Sequence, residues 1–198
     1  MEGHIVRKQI RRDGLSERSI ALALEEYGLL LLQDKALPSV VGIITGERVA
    51  GSWWSHPRAQ EIYRRLQEFE AAGDAMATKL INGKVTFVHR RLWPALAAVG
   101  TARAEWQMRG LSPAARRLLA RVDEEKSVHA SGPAAKDLQK KLLVDAHEEH
   151  TASGKHVTVL KSWPRARLTP AQGQRQLEEA AAAIGASVSV AHAKASLP

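Results

Sequence analysis

The sequence predicts an α+β protein that is mainly helical and carries two β-hairpins. Three observations predict it: apolar residues recur at helical spacing after capping residues, an Asn-Gly pair separates two apolar runs, and the order helix, helix, hairpin occurs twice. The chain has 198 residues, of which 44% are hydrophobic, enough to bury a core. We divide it into an N-terminal helical segment (1–38), a first unit with a connecting helix (39–110), a second unit (111–168), and a C-terminal helix with a loose tail (169–198).

Two helices are predicted in the first part of the chain from their end signals. Ser16 precedes apolar residues at helical spacing and Gly28 follows them, which predicts a helix over about 16–28. Pro57 suits the first turn of a second helix, and apolar residues at helical spacing extend that helix to about residue 70. The apolar run 29–32 between the two helices is too short to assign by its period.

A hairpin is predicted directly after the second helix. Asn82 and Gly83 lie between the apolar runs 77–81 and 85–88. Asn-Gly in this position is the strongest short-range hairpin signal, because both residues of the turn must accept positive φ. Helix, helix, hairpin is the plan of a winged helix, in which the helix before the hairpin enters the major groove and the hairpin loop reaches a neighbouring phosphate. Lys84 would lie at this wing.

The same order returns in the second part of the chain. Ser112 is followed by proline and caps a helix, and a compact helix follows over 134–142. The runs 143–150 and 156–160 then flank a turn that carries Lys155, which predicts a second hairpin with a basic tip. Two such units therefore follow one another in tandem.

Two further helices are predicted outside these units. The segment 90–109 joins them and is expected to be helical, with Pro94 in its first turn. A last helix is expected over about 169–184, with Pro170 at its start and Gly185 just past its end.

The positive charge is segregated along the chain. The formal net charge is +8, and the segment from Lys84 to Arg121 holds eight basic residues and one acidic residue. A second run without acids extends from Lys155 to Arg175. One such cluster is typical of a solvated helix face, but two in one chain favour a protein that binds phosphates.

The segment from Leu111 to Trp163, with a short basic helix and a late hairpin that ends at Leu160, resembles a winged-helix repeat. It is similar in particular to the repeats of the winged-helix DNA glycosylases that excise alkylated bases. Those enzymes carry a Gln-x-Gln catalytic motif within a β-hairpin region, whereas Gln172 and Gln174 here open a predicted helix. The resemblance covers about a quarter of the chain. It implies a fold and a DNA-related role and does not carry the catalytic motif over.

The expected partner is double-stranded DNA, bound by basic helices and hairpin wings, with RNA as an alternative because charge alone does not separate the two. The residues expected to contact nucleic acid are Arg58, Arg64, Arg65, Lys84, Arg90, Arg91, Lys136, Gln139, Lys140, Lys141 and Lys155.

Trp53 and Trp54 are unusual neighbours in a chain with 5% aromatic residues. We expect one ring to fill the core and the other to remain near the surface, where it would be a stacking platform for a base. The alternative is that both rings are buried anchors between the first two helices.

Few residues are candidates for chemistry. The chain has no cysteine, which excludes disulfides, thiolate nucleophiles and cysteine-bound metals. His147 and His150 are three positions apart on a predicted strand and point to opposite faces, so we expect no metal and no cofactor. His56, Asp145 and Glu148 are the catalytic candidates, since a carboxylate could orient water for cleavage of a glycosidic bond. The alternatives are a helix cap for the histidine and a solvated strand edge for the carboxylates.

No apolar run approaches the roughly 20 residues that span a bilayer, and the N-terminus lacks the pattern of a secretion signal. A soluble, cytoplasmic protein without a membrane partner is therefore expected. Two hypotheses of function follow: a non-catalytic DNA-binding protein, or a small DNA repair enzyme such as a base-excising glycosylase.

Overall fold

The computed structural model describes residues 20–150 and 156–185 of the chain, without the side chains of 148–150 and 156. Within these residues the predicted α+β class is confirmed, since helices pack with two three-stranded antiparallel sheets. Each sheet contains one of the two predicted hairpins. The basic tip of the second hairpin, with Lys155, lies outside the described residues, as does the tail from residue 186 onward.

The first unit combines three helices with the first hairpin, and its sheet has the order β1-β3-β2. In chain order its elements are α1 (20–27), β1 (Leu29–Leu31), α2 (Val40–Thr45), a 3₁₀ turn (Trp53–Ser55), α3 (Ala59–Ala71), β2 (Ala75–Ile81) and β3 (Lys84–His89). Asn82 and Gly83 have φ angles of 49° and 70°. These are the positive values that a two-residue hairpin turn needs, so the local signal and the structure agree.

The second unit repeats this arrangement with one helix fewer. Its elements are α6 (Pro113–Glu125), β4 (Ser127–His129), α7 (Gly132–Lys140), β5 (Asp145–His150) and β6 (His156–Lys161). The sheet order β4-β6-β5 matches that of the first unit, because the second strand of the hairpin is again central and the preceding strand pairs with it. Val128, Leu138 and Leu160 are buried in the core of this unit.

The connection between the units departs from the predicted single helix over 90–109. It forms a 3₁₀ turn (Arg90–Leu92), α4 (Trp93–Thr101) and α5 (Glu105–Met108), and Arg103 interrupts it with a φ of 49°. The side chain of Gln107 is fully buried and donates hydrogen bonds to the carbonyls of Val99 and Lys141, at 3.1 and 3.0 Å. The bond to Val99 ties α5 to α4, and the bond to Lys141 holds α5 beside the second unit.

The centre of the molecule is formed by α4, by α8 (Pro170–Ala183) and by one face of the first sheet. Leu29 and Leu31 face this central cluster, while Leu30 and Phe87 face the helices of the first unit. Both faces of the first sheet are therefore covered. This explains the uninterrupted apolar run of β1, because a strand buried on both sides has no solvent face to alternate with.

Among the described residues, no helix combines the length and the apolar character needed to cross a membrane.

Candidate nucleic-acid interface

A groove of about 810 Å³ lies between the two units. One wall consists of the 3₁₀ turn at Trp53–Ser55 and α3, and the floor is formed by the hairpin strands β2 and β3. The opposite wall consists of α7 and β5 of the second unit, which pack against β2. The volume lies within the range of about 300–1,000 Å³ typical of ligand sites, which are often found between structural units.

The first wall of the groove is aromatic. Trp53 is buried at 8% exposure and packs in the core of the first unit, while Trp54 is 59% exposed. Their rings stack with centroids 3.9 Å apart, and Trp54 meets Tyr63 of α3 at 5.6 Å in a tilted pair. The structure thus buries one tryptophan and leaves its neighbour open, which is the division expected from the sequence. The buried ring fixes the position of the exposed one.

The other sides of the groove carry positive charge from both units. Lys79 of β2 and Lys136 of α7 line it. Lys140 lies one helical turn beyond Lys136 on the same face, and its Cε would be 4.0 Å from a Cβ placed on Gly83 at the first hairpin turn. Among the described residues, no carboxylate lies within ion-pair distance of these three lysines. Lys79 and Lys136, which are far apart in the sequence, therefore line one groove, and Lys140 lies close to the first hairpin turn.

Lys79 and Tyr63 were not among the residues predicted to bind. Lys79 shares one side of β2 with Ala75 and Ala77, but Met76 and Thr78 line the groove as well, so strand alternation alone does not select Lys79. The direction in which that side faces follows only from the packing of α7 and β5 against β2.

The groove also contains acidic and amide groups. Asp145 at the start of β5 lines it together with Gln67, Glu70 and Gln139. Burial raises the pKa of Asp145, and the nearby charges of His147 and Lys161 oppose that rise only in part. Of His56 and Asp145, the two catalytic candidates whose side chains are described, Asp145 is the one that lies in the groove with a perturbed pKa, a combination found at many functional sites.

The arginines of α3 occupy different environments from those expected for an exposed face. Arg58 donates to Glu61 at 2.7 Å and to the carbonyl of Thr45 at 3.0 Å. Arg64 pairs with Glu68 one turn along the helix at 2.6 Å. Both side chains remain partly exposed, and surface pairs of this kind contribute little energy.

Arg65 differs from its neighbours because its side chain is buried at 1% exposure. It lies on the apolar stripe with Ile62, Leu66 and Phe69, and its Nη1 is 3.9 Å from Glu68 Oε2. A buried guanidinium does not reach an external phosphate, so Arg65 is removed from the set of surface contacts.

Several other predicted cations hold local structure. Lys84 pairs with Asp34 at 2.6 Å, and Arg90 pairs with Asp74 at 3.2 Å. Arg91 donates to the carbonyls of Glu25 and Glu26 and so caps the C-terminal end of α1. Lys141 donates to the carbonyl of Arg109 at 2.8 Å, just past the end of α5. Of these four, Lys84 and Arg90 retain half or more of their side-chain exposure.

His56 has both ring nitrogens engaged. Its Nδ1 accepts a hydrogen bond from the backbone N–H of Arg58 at 3.1 Å, and its Nε2 lies 3.0 Å from Glu47 Oε1. The first contact requires an unprotonated Nδ1, which leaves Nε2 as the donor to the carboxylate. This arrangement fits the structural alternative of a turn cap before α3, and it leaves no free nitrogen to act as a base.

The remaining chemical candidates are Glu148, the histidines and the Gln172–Gln174 pair. The side chain of Glu148 lies outside the described side chains. Within the described residues, no group of three histidine or acidic side chains could hold a metal ion. Gln172 caps α8 through Thr169, and Gln174 bonds to Glu178 along the same helix, so both glutamines have local structural roles.

No protein-family profile, curated protein or solved structure matches this chain.

Proposed function

We propose that this protein binds DNA, with α7 and the first hairpin as its main contacts to the phosphate backbone. The observation that supports this most is that Lys79 and Lys136 line one groove, while Lys140 lies close to the hairpin turn that Lys84 follows. Three of these four cations have no carboxylate partner among the described residues, and they come from two separate units. Clustered cations on one surface neutralise phosphates and release counterions, which is the main source of affinity for DNA.

Of the two helices expected to contact DNA, α7 fits the role better than α3. Lys136, Gln139 and Lys140 share one side of α7, while Ala135 and Leu138 on its other side are buried in the second unit. On α3, Arg58 and Arg64 are held by acids of the same helix, and Arg65 is buried. An amphipathic helix with an open basic face next to a hairpin is suited to contact phosphates across a groove of the duplex.

Fluorescence anisotropy of a labelled duplex of about 20 base pairs tests this proposal at two salt concentrations. Replacement of Lys136 and Lys140 by alanine should weaken binding at low salt at least about tenfold and lower the salt slope by about 2, since each phosphate contact contributes about 1. The matched control replaces Arg117 and Arg121 of α6, which carry the same charge and do not line the groove. Equal losses in the two variants, or no retention of DNA by the wild type in dilute buffer, would refute the proposal. Single-stranded RNA in the same titration tests the alternative partner.

A base-excising activity is a second candidate, favoured by the position of Asp145 in the same groove as the exposed ring of Trp54. A carboxyl group whose pKa is raised by burial can exchange a proton or stabilise an oxocarbenium-like centre when a glycosidic bond breaks. Incubation with oligonucleotides that carry alkylated, deaminated or oxidised bases tests it by release of the free base. Base release should disappear in Asp145→Asn. If the wild type releases no base from any lesion, the enzymatic hypothesis is excluded, and the DNA-binding proposal is unaffected.

A further inference from the structure

We propose that the groove between the two units binds one nucleotide, with its base stacked on Trp54 and its phosphate at Lys79 and Lys136. The inference deepens the proposed function and rests on it, because the nucleotide it favours is an unpaired residue of a bound DNA strand. A free nucleotide has the same chemistry, so the experiment below includes both sources.

The aromatic wall, formed by Trp53, Trp54 and Tyr63, presents an exposed ring on which a base can stack. Trp54 has 59% of its surface open, although it already stacks on Trp53 and contacts Tyr63. A large exposed ring held in a fixed position presents a π-face that any base can cover, because stacking does not depend on base identity. Trp53 is held in the core, so the platform is rigid before the ligand arrives, which lowers the entropic cost of binding.

Lys79 and Lys136 indicate where the phosphate of the nucleotide would bind. Lys79 and Lys136 line the same groove as Trp54 but come from its floor and its opposite wall. The groove therefore combines an aromatic ring with one cation on its floor and one on its opposite wall. This arrangement matches a ligand that combines a flat π-system with an anion, and a nucleotide has this combination. An apolar peptide or a lipid chain would offer no negative charge to Lys79 or to the exposed Lys136. Lys140 and Lys84, close to the hairpin turn, would contact the DNA strand where it leads away from the bound nucleotide.

Amide groups line the groove as well. Gln67 donates to Tyr63 Oη at 3.0 Å, and Gln139 lies on the facing helix. Side-chain amides carry both donors and acceptors and can bond to the edge of a base without selecting one base alone. The expected site is therefore tolerant of base identity and selective for an unpaired base.

The experiment uses the full chain and two labelled duplexes that differ by one unpaired adenine in the middle of one strand. Binding is measured by anisotropy and by quenching of tryptophan fluorescence. The bulged duplex should bind about tenfold more tightly than the perfect one, in keeping with one base stacked on an aromatic ring. The ratio of the two affinities should fall to near one in Trp54→Ala and be largely kept in Trp54→Phe. The control is Leu22→Ala, which removes an equally exposed apolar side chain (63%) outside the groove.

Deoxyadenosine monophosphate and deoxyadenosine, titrated without DNA, form the second arm. Tighter binding of the monophosphate, lost when Lys79 and Lys136 are both replaced by alanine, places the phosphate as proposed and identifies a free nucleotide as a source. A bulge preference without binding of the free nucleotide identifies the DNA strand as the source. If neither preference is observed, the proposal is overturned. Firm binding of the perfect duplex, together with the absence of both preferences, would show that the protein binds DNA without a nucleotide site in the groove. No binding of any duplex would remove the proposed function itself.

Discussion

The contact between Gly100 and Trp163 provides the sharpest test of the packing. Gly100 lies buried in α4, and a Cβ at this position would be 2.2 Å from Trp163 Cδ1 and 2.3 Å from Trp163 Nε1. The indole ring has little room to retreat, because it is buried at 8% exposure and its Nε1 donates to the carbonyl of Leu142 at 2.7 Å. In Gly100→Ala the ring or the helix must therefore move.

The magnitude follows from three contributions. Alanine in place of glycine inside a helix stabilises it by about 1 kcal/mol. Overpacking of a core costs about 1–3 kcal/mol, and an unsatisfied indole N–H costs about 1–3 kcal/mol more if the bond to Leu142 breaks. We expect a net loss of about 3 kcal/mol, or about 6–12 °C in Tm for a chain of this size.

Urea unfolding with a check of the m-value measures this loss. The matched comparison is Gly100→Ala in a Trp163→Ala background, where the clash is absent and the helix propensity alone should make the substitution neutral or stabilising by about 1 kcal/mol. A Gly100→Ala protein as stable as the wild type, or an equal penalty in both backgrounds, would refute the packing argument.

Three further predictions concern caps and titration. Ser112→Ala should lower the free energy of unfolding by about 1 kcal/mol, because Ser112 Oγ accepts a hydrogen bond from Ala115 N at 3.1 Å at the start of α6. Burial alone would raise the pKa of Asp34, but hydrogen bonds from Lys84 and two backbone N–H groups outweigh it and hold the pKa at about 2, below its ordinary 3.8. The ionised form of Asp34 thus stabilises the fold above about pH 4, and this contribution is lost as the pH falls toward 2. In Lys84→Met, the stability lost between these pH values should be smaller, as measured by acid titrations followed by circular dichroism. Burial raises the pKa of Asp145, so its ionisation opposes folding as the pH rises, and Asp145→Asn should gain more stability near pH 7 than near pH 3 in urea unfolding.

The elements that the sequence predicted correctly depend on interactions between close neighbours. The hairpin at Asn82 and Gly83 follows from two residues that accept positive φ. The start of α8 follows from a capping box between Thr169 and Gln172. The same rules fail for the segment 90–109, where Arg103 interrupts the predicted helix and Gln107 donates a hydrogen bond to Lys141 of the second unit, a contact that local spacing does not predict.

The candidate site was only partly predictable. The sequence predicts Trp54, Lys136, Lys140 and Asp145 as site residues. Trp54, Lys136 and Asp145 line the groove, and Lys140 lies close to the first hairpin turn. Arg65 is also predicted as a contact from its charge, although its spacing from Ile62 and Phe69 puts it on the buried stripe of α3.

The sequence by itself determined the order of the elements, their capping and the surplus of positive charge, because those properties arise from residues within a few positions of one another. Only the tertiary structure decided that β2 meets α7 and β5, and hence that an exposed tryptophan faces lysines from two units. The physical reason is that an amphipathic pattern marks which side of an element is apolar but not which other element covers it. That choice depends on the fit between residues such as Gly100 and Trp163, which lie far apart in the chain and meet only after folding.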